Sequence, residues 1–192
     1  MIALAVSNGD SRPWEADRRE HVVQGRFAVT DDRAMVLTTL LGSCVAACMY
    51  DPVAGVGGMN HFLLPGDDGE EAEGLRYGVH AMELLVNGLL KLGARRDRLQ
   101  AKLFGGARMV ESFGDIGRRN VIFAERFLAT EKIIDAGGDL GGVHARRVQF
   151  WAVQGRARQL LVQADHTAVF EAERQTETVN PMPDDAGALE LL

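Results

Sequence analysis

Thr38–Pro65, TTLLGSCVAACMYDPVAGVGGMNHFLLP, is the stretch whose reading decides the fold. Val45 to Tyr50 is an apolar run of strand length, and Asp51-Pro52-Val53-Ala54-Gly55 is loop chemistry. A second apolar run follows and carries His61. The pattern predicts a hairpin with a Cys and a His near its open end. Suppose Tyr50 and Gly55 close a loop of about four residues. Cys44 then stands directly opposite His61, and both side chains leave the same face. Opposed Cβ atoms lie about 4.5–5.5 Å apart, so a thiol and an imidazole meet.

That pairing is what a sulfur nucleophile needs. The thiolate attacks, not the thiol. A neighbouring imidazole takes the proton and later gives one to the leaving group. A third group usually orients the ring, and Thr38 and Thr39 end the preceding strand as candidates. Two blander readings compete. A lone Cys in an apolar strand is most often a small buried hydrophobe. A one-residue slip in register sends His61 to the other face.

The whole chain has 192 residues, 46% of them hydrophobic and 25% charged, which suits one domain with one good-sized core. Against 27 acidic residues stand 21 basic ones, a net charge of −6, which argues against nucleic acid or an anionic membrane surface as a partner. No apolar run approaches the roughly 18 residues of a membrane helix. The N-terminal MIALAVSNGDS lacks a basic flank and a long apolar core, so the expected location is cytoplasmic, with no membrane insertion. Cys44 and Cys48 on one strand stand roughly 13 Å apart, beyond disulfide reach. With His61 they fall short of a zinc pattern. The paired glycines at 57–58, 105–106, 137–138 and 141–142 suggest tight turns and close backbone approach.

In chain order, residues 1–20 read as a mobile extension, 21–174 as a single domain and 175–192 as a loosely held tail. His21 to Thr30 alternates as a half-buried strand, and Ala34 to Leu41 reads as a second. Leu75, Val79, Met82, Leu85, Val86, Leu89 and Leu92 carry helical spacing, capped at Gly93. Gln100 to Phe104 reads as a strand ending in Gly105-Gly106, glycines that are candidates for offering free N–H groups to an oxyanion. A helix is expected within 117–132, with Ile122, Phe123, Phe127 and Leu128 facing in. Val148–Val153 and Gln159–Gln163 read as a hairpin across Gln154-Gly155, and Asp165–Glu173 as a short helix. The sum is an α/β layered sandwich with a mixed, hairpin-rich sheet flanked by helices. Neither GxxxxGK[ST] nor a proper GxGxxG followed by an acidic residue is present, which argues against a nucleotide fold.

The 38–65 stretch resembles the signature of CheD, the bacterial chemoreceptor glutamine deamidase family. AKLFGGARM (101–109), IGRRN (116–120) and a GG…R element (141–146) match in the family's order. The resemblance runs from about Val22 to Val162 and carries the family's catalytic Cys onto Cys44, its His onto His61 and its Thr, six residues before the Cys, onto Thr38. Thr39 is not the matched position. The resemblance implies an α/β sandwich similar to the catalytic domains of deamidating toxins. It also implies hydrolysis of glutamine side chains on methyl-accepting chemotaxis receptors to glutamate, some methyl-ester hydrolysis, no metal or organic cofactor, and restraint by a CheC-type phosphatase in some bacteria. The rival reading is a non-catalytic adaptor that binds receptors or CheC.

Overall fold

The computed structural model describes residues 18–65, 71–108 and 116–162. The expected C-terminal helix at 165–173 and the tail from 175 lie outside them, as does the extension up to residue 17. Nine strands and two helices are described: β1 (Arg18–His21), β2 (Arg26–Thr30), β3 (Met35–Leu41), β4 (Val45–Asp51), β5 (Val56–His61), α1 (Glu71–Lys91), β6 (Gln100–Gly105), α2 (Ile116–Glu131), β7 (Ile134–Leu140), β8 (Ala145–Trp151) and β9 (Arg156–Val162). They form two sheets, β1-β3-β8-β9 and β2-β5-β4-β6-β7. Each is mixed, since β1 runs parallel to β3 and β6 parallel to β7, while the other pairs are antiparallel. The α/β sandwich expected from the sequence is therefore present, built on two sheets where one was expected.

Three layers follow from the alternation along β4. Val45, Ala47 and Met49 join a core with Met82, Leu85, Val86 and Leu89 of α1 and Phe123, Phe127 and Leu128 of α2. Cys44, Ala46 and Cys48 join a second core with Leu37 and Leu41 of β3 and Val148 and Phe150 of β8. A strand buried on both faces must read as a continuous apolar run, and β4 does. Helix α1 buries residues at i, i+3, i+4 and i+7 from Met82. It stops at Gly93, whose φ of +95° is the left-handed cap anticipated there, with Ala94 N–H closing on Leu89 C=O at 3.1 Å. Burial fades toward its first turns, where Leu75 and Val79 are half exposed. In α2, Ile122 faces solvent, against expectation. It precedes Phe123 by one residue, about 100° around the helix, so both cannot face the sheet.

Two further expectations are corrected. The single strand read at 21–30 is broken by a turn, with Arg26 N–H bonded to Val23 C=O at 3.1 Å and Gly25 at a φ of +74°. Strand β7, IDAGGDL, went unread because its glycines mimic a turn. Gly138 is needed there, since a Cβ would lie 1.9 Å from Leu103 O.

Asp51 anchors the hairpin loop. Its buried carboxylate accepts from Val53 and Ala54 N–H at 2.9 and 3.0 Å, from Arg95 N–H at 2.9 Å, and from the Arg98 guanidinium at 2.7 Å. Burial alone would raise its pKa. Arg98 and the three backbone donors outweigh burial and hold it at about 2. Asp51→Ala strands several buried donors and should cost about 3 kcal/mol in urea unfolding. The same linkage makes this carboxylate's contribution complete above pH 4 in wild type and lost as pH falls from about 4 toward 2. A flat acid limb of the stability curve would contradict it.

Candidate active site

The bend before β4 is held at three consecutive carbonyls. Gly42 C=O accepts from Ala107 N–H at 2.8 Å, Ser43 C=O from Asn120 Nδ2 at 3.0 Å, and Cys44 C=O from Gly106 N–H at 2.7 Å. Asn120 also accepts from Leu64 N–H at 2.8 Å, so α2 ties together the two ends of the hairpin. Gly105 is required here: its φ is +110°, and a Cβ would lie 2.1 Å from Cys44 O. The glycine pair thus shapes the bend. Gly106 N–H, expected to be open to an oxyanion, is already committed to Cys44.

The hairpin loop closes one residue later than expected. Asp51 pairs with Val56, Tyr50 with Gly57 and Cys48 with Met59. Val45 bridges Phe62. This shifts the register by two residues, and an even shift preserves the face. Cys44 and His61 therefore leave the same side, one diagonal step apart, into the core between the sheets. Between those pairings the ladder is interrupted: Ala47 N–H bonds the Asn60 side chain at 2.9 Å, while Asn60 Nδ2 donates to Ala81 C=O on α1 at 3.1 Å.

His61 is 4% exposed, and its Nδ1 lies 2.9 Å from Thr39 Oγ1. That hydroxyl donates to Val22 C=O at 2.8 Å, and Nδ1 lies 3.4 Å from the same carbonyl. A hydroxyl has one proton and a carbonyl has none, so the network requires the proton on Nδ1. Nε2 then carries the lone pair. It is buried and has no hydrogen-bond partner. Burial is the main force on the ring's pKa, which falls to about 4; the Val22 carbonyl pulls it up and His21 pushes it slightly down. The imidazole is neutral at pH 7, with its lone pair on Nε2.

The expected contact from Thr38 to His61 is not made. Thr38 Oγ1 donates to Glu20 C=O at 3.4 Å and lies 3.4 Å from His21 Nδ1. Neighbouring residues on a strand point to opposite faces. Leu37, Thr39 and Leu41 are buried toward the second sheet, so Thr38 points away from it. Cys44 is fully buried, and its Sγ donates to Gln24 Oε1 at 3.2 Å. Gln24, Asn60 and Asn120 were not singled out as site residues in the sequence, and Thr39 was named beside Thr38 but is not the position the family resemblance matches. Only Thr39, a second hydroxyl beside Thr38, left a signal that the alternation along β3 could have used. Cys48 is buried opposite Met59, and burial pushes its thiol pKa far up. His21, His80 and His144 are exposed. Arg146, 2% exposed, donates to Asp139 and Gly141 C=O and so holds the turn before β8. Among the described residues no three His, Cys, Asp or Glu side chains cluster as metal ligands.

The family model for CheD chemotactic sensory transduction matches residues 63–159. A protein of Acidiphilium cryptum named "Probable chemoreceptor glutamine deamidase CheD" is 57% identical over 178 residues, 91% of this chain and 93% of its own length. This chain belongs to the CheD family. Proteins of the same name from Rhizobium leguminosarum bv. trifolii and Rhizobium meliloti are 52% and 58% identical over 171 and 147 residues. These cover 88% and 75% of this chain, and 93% and 80% of the relatives. A solved Neisseria meningitidis protein of the DUF152 family, NMB0706, aligns at a TM-score of 0.42 and 10% identity over 65% of this chain and 64% of its own.

The hydroxyl network can be read directly. In wild type, imidazole nitrogen NMR should show the neutral Nδ1–H tautomer of His61 at pH 7, titrating near 4. Thr39→Val should abolish the protected Nδ1–H signal, and Thr38→Val should leave it; the reverse pattern would return the role to Thr38. The depressed pKa also has a stability sign. The term is neutral above 6.5 and destabilising as pH falls from 6.5 toward 4, where only the unfolded chain binds the proton.

Proposed function

We propose that this CheD-family chain hydrolyses glutamine side chains of methyl-accepting chemotaxis receptors to glutamate, with Cys44 as nucleophile and His61 as general base. The observation that carries the assignment of roles is the His61 ring. It is locked through Nδ1, neutral, and bare at Nε2, on the same face as the one thiol held in a fixed bend. Nε2 draws the proton from Cys44. The thiolate attacks the side-chain amide carbon of a receptor glutamine, and a C–S bond forms as the carbonyl becomes an oxyanion. The imidazolium gives its proton to the departing nitrogen, which leaves as ammonia. Water, deprotonated by the same nitrogen, cleaves the thioester and releases glutamate. Thr39 holds the ring throughout and takes the place expected of Thr38. Burial disfavours a lasting thiolate–imidazolium pair, so proton transfer is coupled to attack. A glutamyl methyl ester follows the same path with methanol leaving. Neither a metal nor an organic cofactor enters a step.

A cytoplasmic location and a CheC-type phosphatase as partner belong to the same proposal. Among the described residues no helix is long and apolar enough to cross a membrane. Isothermal titration with a purified CheC-type phosphatase tests the second point, saturable heat being expected.

Receptor cytoplasmic fragments incubated with the protein should gain about one dalton at chosen glutamines. Cys44→Ala should abolish the gain while leaving the fold intact. Equal gains with both proteins would mean spontaneous deamidation or another nucleophile. Receptor binding by wild type with no mass change at all would instead favour the adaptor. Iodoacetamide should modify Cys44 before Cys48, because only Cys44 has an imidazole nearby to take its proton as sulfur attacks. Preferential labelling of Cys48 would overturn the assignment.

A further inference from the structure

The mechanism needs donors for the oxyanion that forms beside Cys44, and besides the backbone N–H of Cys44 itself a side-chain donor is within reach. The glycine loop next to the bend does not supply one from Gly106 or Ala107, whose N–H groups hold the carbonyls of Cys44 and Gly42. Gln24 brings a side-chain amide to the sulfur itself, with Oε1 3.2 Å from Sγ. Its backbone is not free to wander. Val22 N–H donates to Thr38 C=O at 2.8 Å, Arg26 N–H to Val23 C=O at 3.1 Å, and Gly25 N–H to the carbonyl of His61 at 2.8 Å. The turn that carries Gln24 is thus fastened to the residue that carries the base, and its Val22 carbonyl accepts from Thr39.

We propose that Gln24 is a further catalytic residue, whose side-chain N–H donates to the oxyanion formed when Cys44 attacks the substrate amide. This rests on Cys44 being the nucleophile. A carboxamide has an acceptor at one end and two donors at the other. Against a thiol, the acceptor end faces sulfur, as observed. As the proton moves to His61 Nε2 and sulfur attacks, negative charge builds where Oε1 had faced a thiol, and that charge repels Oε1. A half-turn of the amide exchanges Oε1 for Nε2 in the same place. The N–H then faces the negative charge as it passes from sulfur to the substrate oxygen. Charge-assisted donors aimed at a developing oxyanion in a dry site are among the largest single contributions to acyl transfer. Both the thiol and the ring are buried. No atom of Gln24 is consumed: the substrate's C–N bond breaks, and Gln24 only changes which end it presents.

The test compares kinetics on receptor fragments for wild type, Gln24→Ala and Gln24→Glu, with Cys44→Ala as reference. Gln24→Ala should lower kcat about 10²-fold or more while changing KM by less than about threefold, the signature of a lost transition-state donor. Gln24→Glu keeps the shape and replaces donors with a carboxylate, so it should lose at least as much. Unchanged or raised kcat in Gln24→Ala would overturn the proposal and make Gln24 a cover over the sulfur. Conversion of Gln24 itself to Glu in wild type but not in Cys44→Ala would also overturn it, since Gln24 would then be a substrate. Should the variants unfold, wild type labelled at the Gln24 side-chain nitrogen decides. On addition of a peptide carrying glutamate γ-semialdehyde, which forms a tetrahedral adduct on Cys44, its amide proton should move downfield; an unmoved signal would overturn the proposal. Full activity in Gln24→Ala alone leaves the deamidase reading standing, whereas full activity in Cys44→Ala removes both.

Discussion

The hydrogen bond between Thr39 and His61 is the constraint on which the rest depends. It crosses from β3 of one sheet to β5 of the other, in the core between them. Thr39 passes its own proton to the Val22 carbonyl, so it must accept one from Nδ1. The tautomer, the ring plane and the bare Nε2 follow from that single arrangement. An imidazole hydrogen-bonded only within its own hairpin would have no such reason to choose between its nitrogens. The two-sheet architecture is thus part of the chemistry, because it brings a hydroxyl from a separate layer to the base.

Around that bond the backbone has been made stiff. Three carbonyls in a row, from Gly42 to Cys44, each receive a donor from β6's exit or from α2. Asn60 fills a gap in the β4–β5 ladder and reaches back to α1. Buried amides used this way are costly unless every group is satisfied, and satisfied they fix one geometry. Through Asn120 and the Ala81 carbonyl, the outer helices therefore steady the strand ends that carry Cys44 and His61. Burial of both Cys44 and His61 strengthens each electrostatic contact in the site.

Much of the fold was legible because its elements keep a clean period. The apolar run of β4 and the stripe from Met82 to Leu89 sit where the sequence placed them. The hairpin loop was placed one residue early, which moved the register by two. Because side chains alternate with period two, both stay on one face, but Cys44 stands diagonal to His61 and the expected thiol–imidazole contact is not made: Sγ donates to Gln24 and His61 Nε2 is without a partner. Strand β7 was missed for the opposite reason: its glycines carry no periodic signal, and its place comes from pairing with β6. Ile122 misled because an apolar residue on the solvent side of a helix looks the same in sequence as one on the core side.

The sequence by itself determined the α/β sandwich, the GSC bend and the placing of Cys44 and His61 on one face, since alternation along a strand is a local property. Only the tertiary structure decided which threonine holds the ring, that the glycine pair is spent on the bend, and that Gln24 lies against the sulfur. Each of those is a contact between elements brought together by the packing of two sheets. No local pattern encodes which face of β3 will meet which residue of β5.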